Sequence, residues 1–552
     1  MKRLITAVAS AALLGAGMLT PGIAAAVPTV AAATSTAATT STFTPPDIQW
    51  GECPTASLRR AGAQCGMVTV PLDYAKPNGT TIQLAVSRIR HTTPDSDAQG
   101  IMLVNPGGPG GSGLGLSRLG SIVPHGAAAP YDWIGFDPRG VGRSVPSLTC
   151  DGDYSAAGRP PYVPDTPAIE RAWFAKTRTY AQDCRSAQAS ALLTHTTTRD
   201  AAMDMDMIRT ALGAEKINYY GFSYGTYLGQ VYSTMFPNRV RRMVWDGVVN
   251  PERVWYDANL DQDVQFDRNI RTYFNWIADN DAAYGLGTNG AALTAKYYAI
   301  LAQLTDRPEG NFGAAEWNDV FVGAGYYVYD WDALAHVFAA AVGGDFTPAK
   351  EWYGDPTGPG ADNGYAMYLA VQCTDVQWPQ GWGTWKKDNW ALHAQYPFLT
   401  WNNVWFNAPC RYWPAPASTP VNVDGAEVPG LLLIAETNDA ATPYSGALEV
   451  RSRYPKSVLI EGVGGTTHSG SLSGVSCTDD RIAAYLLTGA LPARLSGNTS
   501  DVQCEPVPPP DATPVAGASA GATSSGSSAR SSVTRASDVR ELITAATPVN
   551  AG

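Results

Sequence analysis

Short apolar segments separated by turn-forming residues dominate the first part of the chain. Val68 to Leu72 and Thr81 to Arg90 predict two strands, which are joined by a turn at Pro77-Asn78-Gly79. Ile101 to Val104 is a continuous apolar run that predicts a buried strand, and Trp133 to Phe136 predicts the next one. These four segments are the expected beginning of a β-sheet.

Helical segments then alternate with strands. Thr198 to Leu212 predicts a helix, with Thr198 as its N-cap and apolar residues at the helical period. A strand that begins at Ile217, a helix that ends at about Phe236 and a strand from Val240 to Trp245 follow. This alternation is typical of βα units, so the sequence predicts an α/β protein with a mostly parallel sheet.

The pattern changes between residues 251 and 428. This segment is helical, loop-rich and aromatic, and it holds twelve of the sixteen tryptophans. The strand pattern returns at Leu431 to Ile434 and again at Val458 to Ile460. We therefore predict a core of residues 47–250 and 429–505 that is interrupted by an inserted cap. Most cap tryptophans should be packing residues, and the others are candidates for lining a pocket.

The two ends of the chain differ from this core. The basic start Met1-Lys2-Arg3, the apolar run from Leu4 to Leu19 and small-residue cleavage sites predict a secretory signal over residues 1–33, followed by a pro-segment or linker over 34–46. Glycines and a proline interrupt the apolar run, which argues against a stable membrane anchor. Residues 506–552 are rich in Pro, Ala, Ser, Thr and Gly and predict a disordered tail. The protein is expected to be secreted and extracellular.

Eight cysteines fall into four neighbouring pairs along the sequence. An exported chain meets an oxidising compartment, so nearest-neighbour disulfides are expected, although other connectivities stay open. The chain has no Cys-x-x-Cys pair or histidine cluster, and no metal site is predicted. The net charge of −11 argues against nucleic-acid binding. The predicted disulfides are Cys53–Cys65, Cys150–Cys184, Cys373–Cys410 and Cys477–Cys504.

The segment Gly221-Phe222-Ser223-Tyr224-Gly225 carries the strongest chemical signal. It reads G-x-S-x-G, follows the predicted strand at Ile217 and opens the next predicted helix. This is the context of a nucleophile elbow, in which a tight strand-to-helix turn exposes a serine hydroxyl and leaves room only for small residues on either side. The five letters alone also occur in ordinary glycine-rich turns, so the context decides. We predict that Ser223 is a nucleophile.

A serine hydroxyl needs a base, and the base needs an orienting carboxylate. In a sheet of this kind the acid and then the histidine follow the serine, on loops after later strands. Asp439 lies in the loop after the Leu431 strand, and His468 lies in the loop after the Val458 strand. Glu436 competes with Asp439 for the acid role. The remaining histidines precede Asp439 and are in the wrong order: His91, His125, His195, His336 and His393.

Acyl transfer also needs N–H donors that stabilise an oxyanion. One donor is expected to be the backbone N–H of Tyr224, directly after the nucleophile. The second is expected from the glycine-rich loop of residues 105–113, with Gly108 as the candidate, because glycine lets a backbone approach the substrate closely. The same loop resembles a phosphate-binding loop, but no Lys-Ser/Thr pair follows it.

These motifs resemble those of the α/β-hydrolase fold, and within it the secreted tripeptidyl-aminopeptidase branch of the prolyl-aminopeptidase family. The resemblance extends from about residue 50 to residue 505. It implies a serine exopeptidase that removes short peptides, commonly tripeptides, from free N-termini, with no metal or organic cofactor. The matching segments are Asn105 to Gly113, Gly135 to Ser144, Gly221 to Gly229, the Asp439 loop and the His468 loop.

An exopeptidase of this kind must recognise a free α-ammonium group, which requires a carboxylate near the pocket. Prolyl aminopeptidases place a glutamate-rich motif in the cap, and this sequence has no clear copy of it. Asp375 is the candidate anchor, because Cys373 is expected to hold its loop in place. Asp137 and Arg139 are interpreted as structural residues. The other acids considered are Glu252, Asp257, Glu316, Asp330, Asp332 and Glu351.

The sequence thus predicts a secreted serine aminopeptidase whose substrates are peptides or proteins with a free N-terminus. An exported esterase or lipase is the alternative enzyme, because the same triad cleaves esters and an aromatic cap suits acyl chains. A secreted binding protein with an inactive hydrolase scaffold is the non-enzymatic alternative, and the complete set of Ser223, Asp439 and His468 argues against it. The protein is expected to be a monomer.

Overall fold

The strands of the protein form one sheet. The computed structural model describes residues 43–354 and 356–515, so the predicted secretory signal lies outside the described residues. The strands are β1 (Gly51–Glu52), β2 (Gln64–Pro71), β3 (Thr81–Ile89), β4 (Ile101–Asn105), β5 (Asp132–Phe136), β6 (Ile217–Phe222), β7 (Val240–Asp246), β8 (Leu432–Glu436), β9 (Val458–Gly462) and β10 (Val502–Cys504). Their spatial order is β1-β2-β3-β5-β4-β6-β7-β8-β9-β10. The pairs β1–β2, β2–β3 and β3–β5 are antiparallel, and the other six pairs are parallel. The predicted mostly parallel sheet is therefore confirmed.

Helices connect the strands and cover the sheet. They are α1 (Ala56–Arg60), α2 (Pro167–Ser186), α3 (Thr198–Ala211), α4 (Tyr224–Met235), α5 (Tyr256–Asp279), α6 (Asp281–Tyr284), α7 (Gly290–Asp306), α8 (Ala314–Tyr326), α9 (Trp331–Val342), α10 (Thr347–Tyr353), α11 (Asn363–Asp375), α12 (Trp382–His393), α13 (Thr400–Asn407), α14 (Tyr444–Arg453) and α15 (Ser476–Thr488). Nine of them, α5 to α13, lie between β7 and β8, where the sequence predicts the inserted cap. None of the helices in the described residues has the length and apolar character to span a bilayer.

The central strands form because their sequences are apolar on both faces. All residues of β4, β6, β8 and β9 are buried, as expected for parallel strands that have helices on either side. The N-cap of α3 is Thr197, whereas the sequence predicted Thr198, which is the first residue of the helix. The side chain of Thr197 accepts from the backbone N–H of Asp200, whose carboxylate accepts from Thr197 in return.

All eight cysteines are paired in the structure. The disulfides are Cys53–Cys65, Cys150–Cys184, Cys373–Cys410 and Cys477–Cys504. No cysteine is therefore free as a thiolate ligand. The described residues also contain no group of three His, Cys, Asp or Glu side chains that could hold a metal ion.

The chain stays packed beyond the predicted end of the core at residue 505. Val507 is buried, and its backbone N–H donates to Glu436 at 2.7 Å. The backbone N–H of Val515 donates to the carbonyl of Ala283 at 2.9 Å. The predicted start of the disordered tail at residue 506 is therefore wrong, because one apolar side chain and these hydrogen bonds hold residues 506–515 on the fold. Residues 516–552 lie outside the described residues.

Candidate active site

Ser223 occupies the sharp turn between β6 and α4. Its φ is 55°, in the left-handed region that residues with a side chain seldom adopt. A Cβ on Gly221 would lie 2.6 Å from the carbonyl oxygen of Gly225, and a Cβ on Gly225 would lie 2.7 Å from that of Asn105. Both glycines of the G-x-S-x-G pattern are therefore required by close backbone contacts, which is the structural basis of a nucleophile elbow.

Asp439 and His468 form a buried pair beyond the carboxyl ends of β8 and β9. Nδ1 of His468 lies 2.8 Å from Oδ2 and 3.0 Å from Oδ1 of Asp439. The carboxylate also accepts from the backbone N–H groups of Ala441 and Thr442, both at 2.9 Å, and from the Thr442 hydroxyl at 2.8 Å. These donors fix the carboxylate, which assigns the proton of the imidazole to Nδ1 and leaves Nε2 as the basic nitrogen.

Backbone contacts bring the imidazole to the elbow. The N–H of Ser223 donates to the carbonyl of Asp246 at 2.9 Å, and a Cβ on the next residue, Gly247, would lie 2.8 Å from Cε1 of His468. The N–H of His468 donates to the carbonyl of Tyr326 at 2.8 Å, which holds the histidine loop from the helical side. Within the described residues no hydrogen bond joins Ser223 Oγ to His468, a contact that catalytic pairs commonly complete only with substrate bound.

Glu436, the competing acid, has other partners. Its carboxylate accepts from the backbone N–H groups of Thr467 and Val507, both at 2.7 Å, and burial raises its pKa to about 8. Glu436 makes no hydrogen bond to His468, so the geometry favours Asp439 as the orienting acid. Three other histidines bond elsewhere: His91 to Asp132, His125 to Asp480 and His336 to Thr513.

Two backbone N–H groups beside Ser223 have no acceptor in the described part of the chain. They belong to Tyr224 and Gly108, the two predicted oxyanion donors. Gly107 brings the second loop this close. Its φ is 97°, and a Cβ there would lie 2.6 Å from the Phe222 carbonyl and 2.9 Å from the backbone nitrogen of Tyr224. The sequence analysis missed Gly107, for which the glycine run was the only signal.

Asp137 contacts the oxyanion loop, and Arg139 makes its contacts elsewhere in the fold. Asp137 accepts from the Ser112 hydroxyl at 2.6 Å and from the backbone N–H of Leu114 at 3.0 Å, so it holds the far end of the oxyanion loop. Arg139 is buried and pairs with Asp204 at 2.6 Å. Neither side chain lines the pocket described below.

A pocket opens on Ser223 between the edge of the sheet and the helices that follow β7. One side is formed by Gly108, Tyr224 and the Asp439 loop, and the other by α5, α11 and α13. Of the tryptophans in the described residues, only Trp255 lines it. Others pack against one another, as Trp382 does against Trp405 with ring centroids 5.2 Å apart. Amide side chains line it instead: Asn250, Asn259, Gln262, Gln372, Asn402 and Asn403.

Asp375, the predicted amine anchor, does not line this pocket, and its carboxylate has other partners. Its carboxylate accepts from the backbone N–H of Thr198 at 2.7 Å, from the Thr198 hydroxyl at 2.6 Å and from the indole N–H of Trp255 at 3.2 Å. These three donors already use the carboxylate to tie the start of α3 to the end of α11. Burial raises the pKa of Asp375 to about 6.

Two family models match this chain. Residues 100–345 match the family model for the alpha/beta hydrolase fold, and residues 396–504 match the model for TAP-like proteins. A solved proline iminopeptidase-related protein from Thermus thermophilus aligns with 77% of this chain and 99% of its own, at 14% identity and a TM-score of 0.33.

Curated relatives cover most of the chain. A tripeptidyl aminopeptidase from Streptomyces coelicolor is 44% identical over 472 residues, which are 83% of this chain and 86% of that protein. The serine protease Hip1 from Mycobacterium tuberculosis is 29% identical over 81% of this chain and 89% of its own length. Carboxylesterase B from the same organism is 31% identical over 88% of this chain and 96% of its own. The chain belongs to the tripeptidyl aminopeptidase family of α/β-hydrolase enzymes.

Proposed function

We propose that the chain is an exported serine exopeptidase that releases short peptides, commonly tripeptides, from the free N-termini of peptides or proteins. The observation that carries the proposal is the convergence of Ser223, the Asp439–His468 pair and two unpaired backbone N–H groups on one amide-lined pocket. The names of the relatives, tripeptidyl aminopeptidase and serine protease, support the peptidase class. The predicted signal over residues 1–33 and the four disulfides support export.

In the proposed mechanism, Ser223 Oγ attacks the carbonyl carbon of the scissile bond while Nε2 of His468 takes its proton. Asp439 holds the imidazole and stabilises the imidazolium that forms. The N–H groups of Tyr224 and Gly108 stabilise the oxyanion of the tetrahedral intermediate. His468 then protonates the leaving amine, and the bond between that nitrogen and the carbonyl carbon breaks to give an acyl-enzyme. Water activated by the same imidazole hydrolyses this ester and restores the serine.

The composition of the pocket supports peptides over acyl chains. Each peptide unit brings one N–H donor and one carbonyl acceptor, and an amide side chain can pair with both. Among the amide side chains of the pocket, Oε1 of Gln372 is buried and has no partner in the described residues, and an acyl chain would leave it unpaired at a cost in free energy. This free acceptor in the pocket is better matched to a peptide N–H than to a lipid chain.

An esterase is the second candidate, and one observation favours it. The relative named carboxylesterase B is 31% identical and matches over 96% of its length. The same acyl-enzyme chemistry cleaves esters, and the pocket also has apolar lining from Val322, Leu399 and Phe406.

A set of three substrates tests the proposal. A tripeptide p-nitroanilide with a free amine, its N-acetylated twin and a p-nitrophenyl ester differ only in the amine or in the scissile bond. We expect rapid release of nitroaniline from the free-amine peptide and slow release from the acetylated one. Equal cleavage of the two peptides would exclude recognition of the amine, and cleavage of the ester alone would favour the esterase.

A further inference from the structure

One buried carboxylate beside the pocket has almost no partners. Asp263, on α5, is 1% exposed. Its Oδ1 accepts from Nδ2 of Asn403 at 3.1 Å, which is its only hydrogen bond in the described residues, and no cation in that part of the chain pairs with it. Burying a carboxylate with a single neutral donor is costly for a fold, so the group calls for an explanation.

Neighbouring carboxylates differ from Asp263 in this respect. Asp267, one turn further along α5, pairs with Arg271 at 2.6 Å. Asp261, at the rim of the pocket, pairs with Arg253 at 2.5 Å. Glu316 on α8 is buried and pairs with Arg159 at 3.2 Å. Each of these three acids has a cation from the chain itself. Asp263 has none in the described residues, and its single donor leaves acceptor positions of the carboxylate unused.

Asp263 is not itself among the residues that line the pocket, but its neighbours are. Its partner Asn403 lines the pocket, as do Asn259, one turn before it on α5, and the adjacent Gln262. Nε2 of Gln262 donates to the carbonyl of Ala441 at 2.8 Å, which fixes α5 against the loop that carries Asp439. Asp263 therefore lies on a helix that is held in a fixed position relative to the catalytic residues.

The separation between Trp255 and Asp263 along α5 is comparable to the length of a short peptide. Trp255, just before α5, packs its ring against that of Tyr224, the residue after the nucleophile, at 5.9 Å between centroids. Asp263 lies eight residues after Trp255. At a rise of 1.5 Å per residue this separation is about 12 Å along the helix axis. Three extended residues span about 10 Å, so the separation is in the range of a tripeptide.

The helical side of the pocket also holds a second acceptor that lacks a full set of donors. Oε1 of Gln372, a pocket-lining residue of α11, is buried and has no hydrogen-bond partner in the described residues. Arg253 is the only lysine or arginine that lines the pocket, and Asp261 already neutralises it. A ligand with a positive charge and several N–H donors would satisfy these groups, and the N-terminus of a peptide has both.

We propose that the Asp263 carboxylate binds the N-terminal ammonium group of the substrate and that Asn403 orients this carboxylate. This inference rests on the proposed exopeptidase function and identifies the group that makes the enzyme select a free N-terminus. Burial raises the pKa of Asp263 well above its ordinary value, and an ammonium group at hydrogen-bonding distance favours the ionised form. The ion pair is thus formed when the substrate binds.

The Asp263→Asn variant tests the proposal, because it removes the charge and keeps the size of the side chain. We expect KM for the free-amine tripeptide p-nitroanilide to rise about 100-fold with kcat changed less than about 3-fold, the usual cost of losing a charged hydrogen bond. The acetylated twin should be cleaved as slowly as by the unchanged protein. The ratio of kcat/KM between the two substrates should therefore fall about 100-fold. The control is Asp257→Asn, an exposed acid at the start of the same helix, which should leave the ratio unchanged.

The ratio between two substrates does not depend on how much of the variant is folded, so a partly unfolded Asp263→Asn preparation still gives an answer. Asp263→Ser is a second variant with the same expected loss of preference. If the unchanged protein does not prefer the free amine, the proposed exopeptidase function fails. If it does prefer the free amine and both variants keep that preference, Asp263 is not the anchor and the proposed function stands.

Discussion

The catalytic edge of the sheet carries Ser223, Asp439 and His468, and the helical wall of the pocket carries Asp263, Gln372 and Asn403. The polar groups of these two regions differ in how many hydrogen-bond partners they have. At the edge, the Asp439 carboxylate accepts from two backbone N–H groups, from Thr442 and from His468. In the wall, Asp263 has one donor and Oε1 of Gln372 has none. Stabilisation of a transition state requires groups that are fixed in advance, whereas groups left unpaired in the free protein gain a partner only when a substrate binds. We therefore expect edge variants to lower kcat and wall variants to raise KM.

The largest effect should come from removing the nucleophile. Ser223→Ala should lower kcat on the order of 10⁶-fold, as in other enzymes of this mechanism, without a matching change in stability. The measurement is nitroaniline release together with covalent labelling by a fluorophosphonate, which should also be lost. The matched control is Ser445→Ala, because Ser445 lines the same pocket and is exposed. A Ser223→Ala protein with ordinary activity would exclude the assigned chemistry.

The next largest effect concerns the orienting acid. In Asp439→Asn the amide would favour the wrong imidazole tautomer, so kcat should fall about 10⁴-fold with little change in KM. Single-turnover kinetics would separate this loss from any change in product release. Glu436→Gln is the comparison that decides between the two acids. The hydrogen bonds of Glu436 in the described residues come from backbone N–H groups, so this substitution should lower kcat far less. A larger loss in Glu436→Gln than in Asp439→Asn would reverse the assignment.

The edge could be predicted from the sequence because its chemistry lies directly after strands. Ser223 and the Asp439 and His468 loops follow β6, β8 and β9, which are short and largely apolar segments that are easily recognised. Parallel strands bring their carboxyl ends to one edge, so the order of the three residues along the chain was enough to place them together. The glycines of the elbow are required by backbone contacts, and such requirements are visible in the sequence itself.

The wall could not be predicted in the same way, because its groups come from three helices that only tertiary packing brings together. Asp263, Gln372 and Asn403 lie on α5, α11 and α13, and no spacing rule relates these positions. Asp375 was a plausible anchor because it lies near the Cys373 disulfide. In the structure its carboxylate accepts hydrogen bonds from Thr198 at the start of α3. Val507 also lies in a segment of disordered composition, and its packing beside Glu436 depends on a contact across the fold.

A third change moves the oxyanion loop without removing any chemical group. In Gly107→Ala the new Cβ would meet the Phe222 carbonyl at 2.6 Å, at a φ of 97° that disfavours any side chain. The loop must shift, and the N–H of Gly108 with it, so kcat should fall by about 10²- to 10³-fold, the cost of one oxyanion donor. Gly115→Ala is the control, since its Cβ would meet only the end of the Arg118 side chain at 3.9 Å. Equal rates for the two variants would show that the loop does not stabilise the oxyanion.

The smallest expected effect is that of a substitution at Gln372 in the wall. It should weaken substrate binding without lowering the stability of the protein, which no edge variant is expected to do. Gln372→Leu removes a buried acceptor that has no partner, so the free energy of unfolding should stay the same or increase. The same change removes an acceptor for the substrate, and KM for the free-amine tripeptide should rise up to about 10-fold with kcat unchanged. Thermal unfolding and initial-rate kinetics on one preparation measure both quantities. A loss of stability would show that Gln372 has a structural role, and an unchanged KM would show that its free acceptor does not meet the peptide.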